Sequence, residues 1–122
     1  MKFQESQPIF MQIVDWLCDM VLRQELLPNQ QVPSVRDIAV ELQVNPNTVM
    51  RSIERLLQQG IIYSQRGKGN FLSEDAYQQI RQMRSERLLS ETLPQLAREL
   101  RLLGLPMEEV IDKLQQQVSN DN

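Results

Sequence analysis

Histidine is absent from this 122-residue chain, and cysteine occurs only once. Without histidine there are no Ser–His or Cys–His catalytic pairs, no imidazole metal ligands and no general acid–base group of the usual kind near neutral pH. The single thiol, Cys18, excludes an intramolecular disulfide, and one cysteine with carboxylates makes a poor zinc site. No cofactor-binding motif occurs. We therefore expect a protein that is not an enzyme and holds neither a metal nor a cofactor.

Long apolar runs are also missing. The longest cover only a few residues, such as residues 102–105, so no predicted helix is apolar enough to cross a bilayer. The first residues lack the apolar core of a secretion signal. With 41% hydrophobic and 24% charged residues, the composition is that of an ordinary globular domain. These features predict a cytoplasmic protein without a membrane partner.

Negative charge prevails overall, but it is unevenly distributed. The formal net charge is −3, whereas domains that bind nucleic acids are often basic. Residues 44–73, however, carry four basic side chains and only one acidic side chain. A positive surface is therefore expected in this segment of an otherwise acidic chain.

Three helices are predicted in the first half of the chain. Apolar residues at helical spacing place the first over residues 7–25, and a loop with two prolines follows over residues 26–33. Ser34 is expected to cap the second helix. The third helix is predicted over residues 46–59, with Asn45 as its N-cap and a proline at its first position.

The third helix has two chemically different faces. At about 100° per residue, its aliphatic sector holds Val49, Ile53, Leu56 and Leu57. The opposite sector holds Asn47, Arg51, Glu54 and Arg55, with Thr48 at its edge. Such a polar face either reads DNA bases or simply meets solvent, and the helix alone leaves both interpretations open.

A β-hairpin is predicted directly after this helix. Residues 61–64 and 70–72 are rich in β-forming side chains, and residues 66–69 form an Arg-Gly-Lys-Gly turn between them. A flexible surface turn needs no function, but two cations at this hairpin tip are well placed for phosphate contact. The predicted fold is mainly α with a small β-hairpin. It is a winged helix-turn-helix over residues 1–73, followed by a short all-helical region over residues 74–122.

The C-terminal region carries leucines at heptad-like spacing. This stripe consists of Leu93, Leu96, Leu100 and Leu103, at intervals of three, four and three residues. Pro94 interrupts the stretch, so we expect a kink or two helices separated near residues 90–92.

Four motifs occur in order along the chain: Pro-Ser-Val-Arg-Asp-Ile-Ala at 33–39, Val-Asn-Pro-Asn-Thr-Val at 44–49, Gly-Ile-Ile-Tyr at 60–63 and Arg-Gly-Lys-Gly at 66–69. With these motifs the chain resembles the GntR family of bacterial transcription regulators over residues 7–73. Its short helical tail resembles that of the YtrA-type subfamily, in which the tail serves dimerisation.

The resemblance and the residue pattern together indicate which residues act. The expected DNA-binding residues are Ser34, Arg36, Asn45, Asn47, Thr48, Arg51, Arg55, Arg66, Gly67, Lys68 and Gly69. The expected dimerisation residues are Tyr77, Ile80, Leu88, Leu93, Leu96, Leu100 and Leu103. Base specificity does not transfer from longer relatives, because Pro46 and Met50 replace residues that are often polar or basic there. Gln43 and Asn29 stand where the family often has glycine.

Our main hypothesis is a homodimeric repressor that binds double-stranded DNA at an inverted-repeat operator. One recognition helix gains about 1–3 kcal/mol of discrimination per bidentate base contact, whereas regulation needs roughly 4–10 kcal/mol over non-specific DNA, so two copies are expected. The alternative is a winged-helix module that binds a protein and never contacts DNA, which the net negative charge would suit. The resemblance further implies a transporter operon as the target. The residues identify no effector ligand.

Overall fold

Three helices build the frame of the fold: α1 (Ile9–Leu22), α2 (Val35–Leu42) and α3 (Pro46–Gln58). The computed structural model describes Phe3 and residues 7–120. Helix α3 contacts both α1 and α2. Helix α1 is shorter than the predicted residues 7–25, because Pro8 precedes its first turn and Gln24 takes a left-handed conformation (φ +61°) after its last.

Side-chain caps begin α2 and α3, which confirms the predicted starts. Ser34 Oγ accepts a hydrogen bond from the backbone N–H of Asp37 at 3.1 Å. Asn45 Oδ1 accepts one from the N–H of Asn47 at 2.8 Å. Both bonds satisfy N–H groups that have no partner within the helix. Between the two helices, Gln43 has φ +57°, in the left-handed region that favours glycine.

The hydrophobic core joins these helices to a hairpin and to the helix that follows it. Its most deeply buried apolar side chains are Ile13, Ile38, Val49, Leu56, Ile61, Leu72 and Ile80. Ser52 is a fully buried polar member of α3 within this core. Its Oγ lies 2.8 Å from the carbonyl oxygen of Phe10 and 3.1 Å from that of Thr48, and its single proton donates to one of them at a time. The shorter of the two, to Phe10, joins α3 to the first turn of α1.

The predicted hairpin is present as strands β1 (Ile62–Gln65) and β2 (Gly69–Leu72). They pair antiparallel, with Ile62 opposite Leu72 and Gln65 opposite Gly69. On one face of the pair, Tyr63 and Phe71 stack with their ring centroids 5.8 Å apart. The β-forming residues on both sides of the Arg-Gly-Lys-Gly turn therefore predicted this element correctly.

The segment predicted as a plain connecting loop also pairs with β2. The N–H of Asn29 donates to the carbonyl of Leu72 at 2.7 Å, and the N–H of Val32 donates to that of Asn70 at 2.8 Å. In return, the N–H of Leu72 donates to the carbonyl of Gln30 at 2.9 Å. Residues 29–32 thus cover one edge of the two-stranded hairpin, which satisfies backbone groups that would otherwise be unpaired.

Helix α4 (Ala76–Arg87), a π-helical turn (Leu88–Thr92), α5 (Leu93–Leu103) and α6 (Met107–Asn120) complete the described chain. The interruption expected near Pro94 is this π-helical turn, in which the N–H of Leu93 donates five residues back to Leu88; there is no gap between helices. The chain divides into two compact units, one up to Met83 and one from Arg84 onward. Across the described residues, no helix combines the length and apolarity needed to span a membrane.

We expect Ser52→Ala to lower the free energy of unfolding by about 1 kcal/mol, because it removes a buried hydrogen bond between α3 and α1. Urea denaturation measures the change. Ser85→Ala, an exposed serine in α4, is the matched control for the change in helix propensity. Equal stabilities of the two variants would show that the buried hydroxyl contributes nothing.

Candidate nucleic-acid interface

Helix α3 turns its polar face to solvent and its aliphatic face to the core, as its periodicity predicts. Val49 and Ile53 are buried, whereas Asn47, Arg51 and Arg55 are exposed. Thr48 lies half-buried at the edge between the two faces. The N-cap, Asn45, uses its side-chain oxygen within the helix, so its Nδ2 group is the part left to donate to a ligand.

The start of α3 lies beside Arg36 of α2. Arg36 and Pro46 line one shallow groove together with Val35, Ala39, Val40 and Val44. Ser34, two residues before Arg36, has its hydroxyl engaged in capping α2. The structure thus brings Arg36 to the beginning of the predicted recognition helix, although the two residues lie on different helices.

Arg51 is held against an aromatic ring. Its guanidinium carbon lies 4.0 Å from the centroid of the Phe10 ring, within the range of a cation–π contact. Phe10 belongs to the first turn of α1 and is half-buried, whereas Arg51 is exposed. The guanidinium therefore lies on the protein surface with the Phe10 ring against it.

The wing tip (residues 66–69) is a tight turn that is held from outside the hairpin. The N–H of Lys68 donates to the carbonyl of Gln65 at 2.9 Å, and Gly67, which lies between these two residues, has φ +77°. Gln31 Nε2 donates to the carbonyl of Lys68 at 2.9 Å. Gly69 has φ +112°, and a Cβ there would lie 2.9 Å from Gln31 Nε2. Gly69 is thus favoured by its backbone conformation, and a Cβ there would displace the end of the exposed Gln31 side chain from its bond to Lys68.

Five exposed cations lie between residues 36 and 68. They are Arg36, Arg51, Arg55, Arg66 and Lys68. None of them forms an ion pair with another residue in the described part of the chain. Exposed cations without carboxylate partners are available to phosphates, which is the electrostatic requirement for binding nucleic acid.

The sequence did not predict the structural roles of three residues in this region: Phe10, Gln31 and Ser52. The burial of Ser52 was readable from its spacing, since it lies three residues after Val49 and four before Leu56 on one helical stripe. The roles of Phe10 and Gln31 arise from contacts with residues far along the chain, and no local pattern marks them.

The seven predicted dimerisation residues are placed differently from one another. Ile80 is fully buried in the core of the first unit, and Tyr77 packs against that core. Both therefore help to hold α4. Leu93, Leu96 and Leu100 line an apolar groove in the second unit, whereas Leu88 and Leu103 are exposed outside it. Only the leucines among these residues present free apolar surface.

Comparison with known proteins identifies the family. Residues 11–72 match the family described as "Bacterial regulatory proteins, gntR family". The chain belongs to the GntR family. It is 37% identical over 111 residues to YhcF of Bacillus subtilis, an HTH-type transcriptional regulator, covering 91% of this chain and 90% of YhcF. It is 31% identical over 107 residues to the B. subtilis repressor YtrA, covering 88% and 82% of the two chains.

Solved structures of the GntR family share the fold. A GntR family transcriptional regulator from Listeria monocytogenes superposes with a TM-score of 0.75 at 30% identity and covers 93% of this chain and 98% of its own. The DNA-binding domain of AraR, solved with its operator ORR3, superposes with a TM-score of 0.53 at 25% identity over 60% of this chain and 86% of its own. The winged helix-turn-helix fold and the resemblance to the YtrA-type subfamily are thereby confirmed.

Family membership decides between the two candidate functions. GntR proteins are transcription regulators that bind DNA, so this chain is a bacterial DNA-binding regulator and not an enzyme. The unpaired cations and the exposed face of α3 agree with that function.

We expect Gly69→Ala to destabilise the fold more than Gly67→Ala does. Both variants place a side chain at positive φ, at a cost of about 1–2 kcal/mol, but only at position 69 does the new Cβ displace the Gln31 amide from its hydrogen bond to the Lys68 carbonyl. Urea denaturation measures both. In a Gln31→Ala background the difference should shrink, and a difference that persists unchanged would contradict the clash.

Proposed function

We propose that this chain is a repressor that binds an inverted-repeat operator as a homodimer. Helix α3 enters the major groove, whose base edges carry a sequence code, and the wing tip lies against the minor groove or the backbone. The observation that carries this proposal is the exposed polar face of α3. Its arginines form no ion pair with any other described residue.

Each polar residue of α3 has a role set by its position. Asn47 and Thr48, near the N-terminus of the helix, reach base edges or the adjacent phosphates. Arg51 presents a planar set of donors that suits the paired acceptors of guanine. Arg55 lies a further turn along the helix, where a phosphate contact is favoured. Arg36 approaches the same DNA segment from the start of α2.

The capped turn and the wing tip complete the proposed surface. Ser34 fixes the start of α2, and Asn45 offers its Nδ2 group beside the first base contacts. Arg66 and Lys68 attract the phosphate backbone without regard to sequence. Gly67 and Gly69 allow the tight backbone that brings these cations to the tip.

The second unit supports dimerisation because it has no core of its own. None of the described residues from Arg84 onward is buried. Residues of α5 and α6 line an apolar groove of about 550 Å³, among them Leu96, Leu100 and Ile111. Removing apolar surface from water stabilises an association by about 25 cal/mol per Å² buried. A second copy of the chain covers this groove, which Leu93 also lines, in the proposed dimer, and Leu88 and Leu103 extend the contact.

The names of the relatives support repression as the mode of regulation. YtrA is named as a transcriptional repressor, and AraR is seen bound to an operator. A regulator that acts on a bacterial operator works in the cytoplasm. Together with the resemblance to the YtrA-type subfamily, these names support repression, and the resemblance favours a transporter operon as the target. Selection of bound duplexes from a random pool, mapped onto the source genome, tests the symmetry of the site and the identity of its genes.

We expect Arg36→Ala and Arg51→Ala each to weaken binding to the selected duplex by about 1–3 kcal/mol without unfolding the protein, because each removes a charged donor to DNA. Fluorescence anisotropy at two salt concentrations measures the affinity and its salt dependence. Arg81→Ala, an exposed arginine of α4, is the matched control. Unchanged affinity in both variants would remove these residues from the interface.

We expect Leu96→Asp with Leu100→Asp to yield monomers, since two carboxylates in an apolar interface have no compensating partners. Sedimentation equilibrium measures the mass. Leu102→Asp is the matched control because Leu102 is 75% exposed and does not line the groove. A dimer that survives the double substitution would place the interface elsewhere.

A further inference from the structure

The contact between Phe10 and Arg51 joins two helices at the proposed DNA surface. Phe10 lies in the first turn of α1, and Arg51 lies in the middle of α3. The guanidinium carbon is 4.0 Å from the ring centroid, so the ring and the planar cation are in direct contact. Such a contact restricts a side chain that otherwise samples many rotamers.

A second bond fixes Phe10 at the neighbouring position of α3. Its carbonyl oxygen accepts a hydrogen bond from Ser52 Oγ at 2.8 Å, and Ser52 is fully buried. The backbone of Phe10 and the helix that carries Arg51 are therefore joined one residue away from the stacked guanidinium. The backbone that carries the ring is thus anchored to α3 beside Arg51.

The geometry of stacking determines what Arg51 can still do. A ring occupies a face of the guanidinium, whereas the N–H donors point outward from its edges in the plane of the group. These edge donors form the paired hydrogen bonds that a guanine edge or a phosphate accepts. Stacking on Phe10 therefore orients Arg51 without consuming the donors that DNA would use.

We propose that Phe10 is a positioning residue for DNA recognition, which orients Arg51 before DNA binds. This inference rests on the proposed function, in which Arg51 contacts DNA. Binding to DNA immobilises an arginine side chain at an entropic cost, and a residue that is already ordered loses less. Phe10 raises affinity through Arg51 and makes no contact with DNA itself.

The test is a double-mutant cycle on the duplex selected by the wild-type protein. Phe10→Leu keeps an apolar side chain but removes the ring, and Phe10→Tyr keeps the ring. We expect Phe10→Leu to weaken binding about two- to fivefold, the range of an exposed cation–π contact. In an Arg51→Ala background the same substitution should have no effect. Phe10→Tyr should bind as the wild type does.

A spectroscopic measurement separates positioning from a general effect on the fold. In the free protein, the side-chain Nε–Hε resonance of Arg51 should show an upfield ring-current shift in the wild type and in Phe10→Tyr. It should lose that shift in Phe10→Leu, while the backbone amide spectrum stays dispersed. Ile9→Ala, which changes the exposed neighbour of Phe10 in the first turn of α1, is the control and should leave both affinity and shift unchanged.

Measurements on a scrambled duplex show which acceptor Arg51 meets. A loss confined to the selected duplex assigns a guanine edge, and an equal loss on both duplexes assigns a phosphate; both results support positioning. Equal losses from Phe10→Leu with and without Arg51 would overturn it, as would an absent ring-current shift in the wild type. If the wild type bound no selected duplex, the proposed function itself would fail, which is a different result.

Discussion

The packing of α3 against α1 is the interaction on which the rest of the structure depends. Val49, Ser52, Ile53 and Leu56 recur at intervals of three, one and three residues and form one buried stripe on α3. Because that stripe faces the core, the polar residues on the other side of the helix face solvent. Aliphatic contacts alone would tolerate sliding of one helix along the other, but the bond from Ser52 to the Phe10 carbonyl fixes their register. The same contact that stabilises the core thus sets where Arg51 is presented.

Local signals predicted much of this fold, and non-local pairings account for what they missed. Caps, the proline at the start of α3 and the switch to strand periodicity all act within a few residues, so α2, α3 and the hairpin could be predicted. The pairing of residues 29–32 with β2 and the bond from Gln31 to Lys68 join positions about forty residues apart. No periodicity encodes such contacts. The polar face of α3 was likewise predictable, but its support by Phe10 was not.

Asn29 shows how the fold tolerates a left-handed residue that is not glycine. Its φ is +66°, at a position where GntR relatives often have glycine. Its backbone N–H pairs with Leu72, and its side chain bridges the hydroxyl of Tyr63 and the carboxylate of Glu74 at 2.9 and 2.6 Å. Asparagine tolerates this conformation better than most residues, and here its amide also ties the edge segment to the hairpin. The substitution therefore keeps the turn and adds side-chain contacts that glycine lacks.

The net negative charge of the chain does not conflict with DNA binding. Contacts with phosphates are made at hydrogen-bond distance, and salt screens exposed charges beyond about 8–10 Å. What matters is therefore the local charge of residues 44–73, which hold four basic side chains and one acidic side chain. A chain with a net negative charge binds random DNA weakly, since non-specific affinity comes from phosphate neutralisation. In the proposed complex, discrimination comes from ordered donors on α3, so a residue that orders Arg51 has more effect there than it would in a strongly basic protein.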